Sequence, residues 1–309
     1  MMQRRATLAL PFLLATTPAS AQPAQREVWT DPARRRPLPL LIRWPEREGP
    51  VPLVLISHGL GGSREGLAYL GEGLAEGGFA ALHLQHPGTD DGLWRGGGDA
   101  RLAFAAAISD AGRALDRLLD VIFVLDELPR RPEMRGRVDT TRIGIAGHSY
   151  GAWVVQHMLG ERLPGGDRGL ALPDPRLSAG IALSPIPPAG LPPRLAFSAV
   201  RAPMLHVTGT RDDTWVDGTT AARRRIPFDN IAAPGALAVL EGATHASFAG
   251  EPGVGERWEN PAYHGRTVGL AVNFLRALWQ GDAAARAFLR GGAPGLLRPG
   301  DALETKGLG

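Results

Sequence analysis

The stretch RIGIAGHSYGAWVVQHML, residues 142–159, joins a short apolar run to a segment of helical spacing through a Gly-rich turn. Residues 142–146 predict a buried strand, and residues 150–159 predict a helix that begins directly after it. The turn between them, residues 147–151, has the form G-x-S-x-G. Glycine on both sides of Ser149 allows a tight turn and a close approach of helix and strand. This context predicts that Ser149 is a nucleophile whose hydroxyl is lifted off the backbone.

The rest of the chain alternates short apolar runs with longer helical stretches, which predicts an α/β fold. Such alternation indicates a mostly parallel sheet with helices on both faces. About eight strands are predicted: two between residues 27 and 44, then 51–56, 79–84, 142–146, 179–183, 204–208 and 237–240. Helices are predicted at 64–76, 102–128 (one long helix), 150–159, 267–279 and 283–289. We expect one domain, residues 22–309, with 281–309 as a C-terminal tail.

The first 21 residues have the pattern of a secretory signal peptide. Arg4 and Arg5 supply the positive start, residues 6–15 form a short apolar run, and Ala19-Ser20-Ala21 is a small-residue cleavage site. We therefore expect an exported protein, periplasmic or extracellular, that begins at Gln22. The apolar run is too short for a permanent anchor, so no stable membrane insertion is expected.

The composition excludes several classes of function. The chain has no cysteine, which excludes disulfides, thiolate metal sites and a cysteine nucleophile. Its net charge is +3, and nearly all basic residues are arginine. These arginines are scattered apart from short runs at 34–36 and 223–225, so no nucleic-acid partner is predicted.

A serine nucleophile needs a base, and four histidines follow Ser149 in the sequence. His157 lies on the helix after the turn, and His206 lies inside a predicted strand. His245 lies in a loop after the last core strand, where a base is expected. His264, near the start of the last helix, is the weaker alternative. We predict that His245 is the base.

The base needs a carboxylate that orients it. Strand 204–208 leads into the sequence GTRDD, where Asp212 and Asp213 compete for this role. We predict that Asp212 is the partner of the base. Asp213 is then expected to be a turn or helix-cap residue.

Stabilisation of an oxyanion needs two backbone donors. The N–H of Tyr150, directly after the nucleophile, is predicted as one of them. The second is expected from the Gly-rich loop 58–63, and we assign it to Leu60. This loop has neither a G-x-G-x-x-G nor a lysine-bearing phosphate motif, so phosphate binding is not predicted.

Several further residues are candidates for a substrate pocket. His86, Trp153 and Trp215 are predicted to line it, and Trp94 and Trp258 are weaker candidates. Each tryptophan by itself is more often a packing residue. The polar cluster His83, His86, Asp90 and Asp91 matches no metal motif. We expect neither a metal nor a cofactor.

Four segments together resemble one known family. SHGLGGS (57–63), HPG (86–88), GHSYG (147–151) and GTRD (209–212) are similar to α/β hydrolases of the platelet-activating-factor acetylhydrolase type and to bacterial predicted dienelactone hydrolases. Residues 29–36 and 38–45 resemble the first hairpin of these proteins, and the similarity covers roughly residues 28–280.

The resemblance implies the α/β-hydrolase fold, with a triad of Ser149, Asp212 and His245 and with Leu60 and Tyr150 as oxyanion donors. It also implies small-molecule or lipid ester substrates, often with short acyl groups, and no cofactor. True dienelactone hydrolases use a cysteine nucleophile, which this chain lacks.

Three alternatives remain open at the level of sequence. The GHSxG form also resembles polyester-degrading cutinases and lipases, so longer esters are possible, and loop 185–194 could form a lid. The same triad would also serve an amidase or peptidase. A catalytically silent binding protein is a further alternative, although such proteins usually lack a triad member.

Overall fold

The structure, a computed structural model, describes residues 22–166, 168–250 and 260–308. The predicted signal peptide, residues 1–21, lies outside the described residues. The described part is an α/β structure with one large, mostly parallel sheet.

Nine strands of the described residues form this sheet in the spatial order β1-β2-β4-β3-β5-β6-β7-β8-β9. Neighbours from β4 through β3 to β8 are parallel, whereas β2 is antiparallel to both of its neighbours and β9 is antiparallel to β8. The strands are β1 (Gln25–Asp31), β2 (Arg36–Arg43), β3 (Val51–Ser57), β4 (Ala80–Leu84), β5 (Val138–His148), β6 (Leu177–Leu183), β7 (Met204–Arg211), β8 (Gly235–Thr244) and β9 (Ala302–Lys306).

Helices connect most of these strands and cover both faces of the sheet. They are α1 (Ala68–Glu76), α2 (Gly92–Arg95), α3 (Ala100–Ile108), α4 (Ala111–Glu127), α5 (Tyr150–Met158), α6 (Pro193–Ala196), α7 (Ile226–Asn230), α8 (Pro261–Trp279) and α9 (Ala283–Arg290). Short 3₁₀ helices occupy Ala221–Arg225 and His245–Phe248.

Strand β3 shows how the sequence builds a core on each face. All seven of its residues are buried, as expected for a central parallel strand. Because successive side chains of a strand point to opposite faces, Leu53 and Leu55 join the core beneath α4 and α5. Val54 and Ile56 join the core beneath α1 and α8.

The prediction of one long helix over 102–128 is wrong. Helix α3 ends at Ile108, and α4 begins at Ala111. Asp110 causes the break, since its carboxylate accepts hydrogen bonds from the N–H groups of Gly112 and Arg113 and caps a new helix. Aspartate favours this N-cap position over a helix interior.

The C-terminal tail supplies a ninth strand where about eight were predicted. Strand β9 pairs with β8 along five residues and covers the edge of the sheet. The Nζ of Lys306 in β9 donates hydrogen bonds to the carbonyls of Phe228 and Ile231 at the end of α7. The tail is thereby fastened to the domain by both backbone and side-chain contacts.

The parallel strands bring the predicted site residues to one edge of the sheet. The carboxyl ends of β3, β5, β7 and β8 lead into the segments that carry Leu60, Ser149, Asp212 and His245. From β3 the chain runs to β4 on one side of β3 and then returns to β5 on its other side. The direction in which strands are added to the sheet therefore reverses at β3. Open α/β sheets place ligand sites at the carboxyl ends of strands beside such a reversal.

Candidate active site

The turn at Ser149 is held in a conformation that few residues adopt. Ser149 has φ 54° and ψ −115°, an arrangement that costs about 1–3 kcal/mol and persists only where the surroundings enforce it. A Cβ on Gly151 would lie 1.9 Å from the carbonyl oxygen of Ser57. A Cβ on Gly147 would lie 2.4 Å from the carbonyl of Gly151. Both glycines are therefore needed to pack α5 against β3 and β5.

Ser149, His245 and Asp212 form a continuous hydrogen-bonded chain. The Oγ of Ser149 lies 2.9 Å from the Nε2 of His245. The Nδ1 of the same imidazole lies 2.8 Å from the Oδ1 of Asp212. These distances allow direct proton transfer between serine and imidazole. An ionised Asp212 accepts only, so the neutral imidazole carries its proton on Nδ1 and offers Nε2 to the serine.

The carboxylate of Asp212 is completely buried and has several partners. Thr208 Oγ1 donates a hydrogen bond to Oδ2 at 2.8 Å. Arg224, also completely buried, places its Nε 3.4 Å from Oδ1. Burial alone would raise the pKa of Asp212, but the hydrogen bond from His245 and the positive charge of Arg224 outweigh it, so its pKa is lowered. The acid is thus kept ionised.

The backbone of His245 is positioned by the residue before the serine. The Nε2–H of His148 donates to the carbonyl of His245 at 3.0 Å. Burial lowers the pKa of His148 to about 3, so this ring is neutral. The 3₁₀ helix that begins at His245 is capped by reciprocal hydrogen bonds between Thr244 and Ser247. The backbone of His245 is therefore held by His148 and by the capped turn that begins at His245.

The predicted oxyanion donors flank the serine. A Cβ on Gly59 would lie 3.7 Å from the Cβ of Ser149, so the loop that carries Leu60 lies against the nucleophile. Within the described residues, neither the Leu60 nor the Tyr150 N–H donates to a backbone carbonyl. Both groups are thus available to a substrate oxygen.

The candidate pocket residues have three different environments. His86 is completely buried, with both ring nitrogens engaged by Ser57 and Asp120, so it lies behind the loop 58–63. Trp153 is half-buried and packs beside Tyr150. Trp215 is 52% exposed. Trp258 lies outside the described residues.

An aromatic pair links the loop 58–63 to the segment after Asp212. The ring of Phe104 on α3 packs on Gly61, where a Cβ would approach it to 2.5 Å. Trp215, three residues after Asp212, stacks parallel to Phe104 with ring centroids 6.3 Å apart. Phe104 of helix α3 thus contacts both the loop that carries Leu60 and the segment that follows Asp212. This arrangement was not predicted from the sequence, because α3 and α4 were predicted as one continuous helix.

The competing residues have other partners. The Oδ1 of Asp213 accepts a hydrogen bond from the N–H of Ala221. His157 contacts the carbonyl of Trp153, His206 packs edge-on to Phe228 in the core, and His264 stacks on Tyr69. Among the described residues, no group of three His, Asp or Glu side chains is arranged to hold a metal ion.

Sequence reasoning missed two buried arginines at this site, Arg224 and Arg117. Arg224 belongs to the run 223–225, in which only the folded chain shows which guanidinium is buried. Arg117 had a readable signal, since it precedes Val121, Val124 and Leu128 at spacings of four, seven and eleven on the apolar side of α4. A charged residue in such a stripe indicates a specific buried partner.

No protein-family model matches the chain, and no curated protein matches it either. In the part of the chain that the structure describes, no helix combines the length and apolar character required to cross a membrane.

Proposed function

We propose that the chain is a serine hydrolase of the α/β-hydrolase fold that cleaves carboxylic esters. The observation that carries this proposal is the hydrogen-bonded chain from Ser149 Oγ through His245 to Asp212, set on a strained turn at the carboxyl edge of a parallel sheet. The same constellation of nucleophile, base and acid performs acyl transfer on several unrelated folds. The family resemblance of the GHSYG and GTRD segments agrees with this assignment.

The first half-reaction forms an acyl-enzyme. His245 Nε2 removes the proton of Ser149 as Oγ attacks the ester carbonyl carbon. The N–H groups of Leu60 and Tyr150 stabilise the oxyanion of the tetrahedral intermediate. The intermediate collapses as the bond to the alcohol oxygen breaks, and the imidazolium returns its proton to that oxygen.

Water resolves the acyl-enzyme by the same route. His245 removes a proton from water as the hydroxide attacks the acyl carbon, and collapse of the second tetrahedral intermediate returns the proton to Ser149. Asp212 stabilises the imidazolium in both half-reactions without taking its proton. Its buried, fully hydrogen-bonded carboxylate suits this role.

Short-acyl esters are the substrates we propose first, on the resemblance. The exposed ring of Trp215 and the neighbouring Phe104 favour longer apolar acyl or alcohol groups as a second candidate. Export, through the predicted signal at residues 1–21, is part of the same proposal.

The proposal is tested by hydrolysis of p-nitrophenyl esters from acetate to palmitate, with p-nitroanilides measured in parallel. The protein should begin at Gln22. Ser149→Ala should reduce kcat by a factor on the order of 10⁶. Ser198→Ala is the matched control, because that exposed hydroxyl donates to the carbonyl of Leu195 and accepts from Arg162 Nε, and neither partner belongs to the proposed triad.

Each outcome decides a different part of the proposal. Activity in the wild type and in Ser198→Ala, but not in Ser149→Ala, supports the mechanism, and the profile of chain length then identifies the acyl preference. Equal activity in wild type and Ser149→Ala would refute the assignment of the nucleophile. Hydrolysis of anilides alone would replace the esterase by an amidase.

A further inference from the structure

The guanidinium of Arg117 on α4 is a completely buried cation. Within the described residues it makes no ion pair with a carboxylate, and its hydrogen bonds go to neutral oxygens. Burial lowers the pKa of Arg117 to about 10, so the side chain stays charged at neutral pH. A buried cation is costly, and an apolar residue in its place is often neutral or stabilising. Stability alone therefore does not account for it.

Arg117 touches both segments that carry the proposed oxyanion donors. Its Nη2 donates to the carbonyl of His58, two residues before Leu60, and to Ser57 Oγ at 3.1 Å. Its guanidinium carbon lies 4.5 Å from the centre of the Tyr150 ring, a cation–π contact. The loop after β3 and the start of α5 thus meet on one side chain.

The peptide that carries the Leu60 N–H is fixed in orientation. His58 Nε2 accepts a hydrogen bond from the N–H of His86 at 3.0 Å. The proton of the neutral ring is therefore on Nδ1, which donates to the carbonyl of Gly59 at 2.6 Å. In a planar trans peptide the N–H of Leu60 points away from that carbonyl. Rotation of this peptide would break the His58 hydrogen bond.

The far side of the loop is held through Thr89. The Nη1 of Arg117 donates to Thr89 Oγ1 at 3.3 Å, and the carbonyl of Thr89 accepts from the N–H of Gly61 at 2.9 Å. Arg117 therefore supports the loop before Leu60 directly and after Leu60 through one intermediate residue.

A second Ser–His–Asp chain holds Arg117 in place. The Nδ1–H of His86 donates to Asp120 Oδ2 at 3.0 Å, so its Nε2 accepts from the Ser57 hydroxyl at 3.0 Å. Ser57 Oγ keeps a lone pair that accepts from Arg117. Although this chain has the connectivity of a catalytic triad, all three side chains are buried, which makes it a support rather than a second active site.

We propose that Arg117 is a positioning residue that aligns the Leu60 and Tyr150 N–H groups toward the oxygen of the reacting carbonyl. This inference rests on the proposed function, since it assigns a role within the same site. Its consequence is that Arg117 acts on the transition state and not on binding of the ground-state substrate.

The test compares Arg117→Met, Arg117→Lys and Arg266→Met in ester hydrolysis. Arg266 is a matched control, because it is a buried arginine that pairs with Asp301 on the C-terminal tail. Loss of one oxyanion donor reduces kcat by about 10²–10³. For Arg117→Met we expect a loss of kcat of about 10², with KM unchanged, which is the signature of an interaction made only in the transition state. Arg117→Lys should recover part of this loss, and Arg266→Met should retain wild-type kcat.

A second measurement separates alignment from general damage. A trifluoromethyl ketone adds to the serine and presents an oxyanion, whereas the corresponding ether does not. Arg117→Met should lose affinity for the ketone by the same factor as kcat and keep its affinity for the ether. If Arg117→Met does not fold, Tyr150→Leu tests the proposal instead. This change removes the ring that contacts the guanidinium and keeps the backbone N–H of residue 150. We expect it to lower kcat and the affinity for the ketone together.

The outcomes distinguish this inference from the proposed function. The role of Arg117 would be overturned if folded Arg117→Met kept the wild-type kcat and ketone affinity. The same holds for Tyr150→Leu if Arg117→Met does not fold. Neither result would count against the proposed triad. Equal losses for ketone and ether would also overturn it, because they indicate a distorted binding site. A wild-type protein that neither hydrolyses esters nor binds the ketone would refute the proposed function and this inference with it.

Discussion

Replacing Glu161 with glutamine should make the stability of the protein less dependent on pH. Glu161 is buried, and its Oε2 accepts a hydrogen bond from Gln156 Nε2 at 2.8 Å. The amide of Gln156 also holds the backbone of Ile186, donating to its carbonyl at 2.7 Å and accepting from its N–H at 2.9 Å. Glu161 thus lies next to the side chain that anchors the Pro-rich loop 185–193. Burial raises the pKa of Glu161 to about 8.

The size of the effect follows from the difference between the folded and unfolded states. The ordinary pKa of this group is 4.5, so between pH 4.5 and about 8 the unfolded chain releases a proton that the folded chain keeps. The free energy of unfolding then falls by about 1.4 kcal/mol per pH unit. The loss is absent below pH 4.5 and reaches an upper limit of about 5 kcal/mol above pH 8. Glu161→Gln has no such titration and should be the more stable protein by about 3 kcal/mol at pH 7.

Urea unfolding between pH 4 and pH 9 measures this difference. Glu65→Gln is the control, since Glu65 is an exposed acid whose pair with Arg26 is expected to contribute little. The stability curves of wild type and Glu161→Gln should converge in acid and separate as the pH rises. Parallel curves over the whole range would refute the reasoning, because they would mean that Glu161 ionises alike in both states.

Four further predictions concern the site and the scaffold. Asp212→Asn should lower kcat by about 10⁴ through the wrong imidazole tautomer; a loss of less than tenfold would count against its role. Gly151→Ala should unfold the domain or lower its melting temperature markedly, because the new Cβ would lie 1.9 Å from the carbonyl oxygen of Ser57. Within the described residues, nothing lies within 4 Å of a Cβ built on Gly265 of α8, so Gly265→Ala should stabilise by up to about 1 kcal/mol; equal effects of both glycine changes in thermal unfolding would contradict this. Deletion of residues 300–309 should expose the edge of β8, and light scattering should then detect more association than in the full chain.

The central strands and the turn at Ser149 were readable because local patterns determine them. Strand β3 is a continuous apolar run, and GHSYG needs glycine on both sides for steric reasons that the structure shows at Gly147 and Gly151. Strand β9 was missed, since ALETK has no apolar alternation and is extended only because β8 supplies its partner. The break at Asp110 was present as an N-cap signal but was outweighed by the helical periodicity on either side.

The site was predictable only in part, for a similar reason. The order of the segments placed Ser149, Asp212 and His245 at neighbouring strand ends, although no sequence pattern fixes the distances between them. The buried charges depend on three-dimensional context. Arg224 and its neighbours in the run 223–225 are the same residue type, yet only Arg224 contacts Asp212. Asp120 could not be linked to His86 without the packing of α4 against the loop after β4.

The fastening of the C-terminal tail by Lys306 has a practical consequence. Lys306 is the single lysine of the chain, and its amine is held by the carbonyls of Phe228 and Ile231. An acylating reagent has to compete with these two hydrogen bonds, so this amine should react more slowly than an exposed one. Apart from the amino terminus, the folded molecule offers such a reagent no other primary amine. The rate of labelling at this one position would report how often the amine leaves its two carbonyls, at the end of β8 opposite His245.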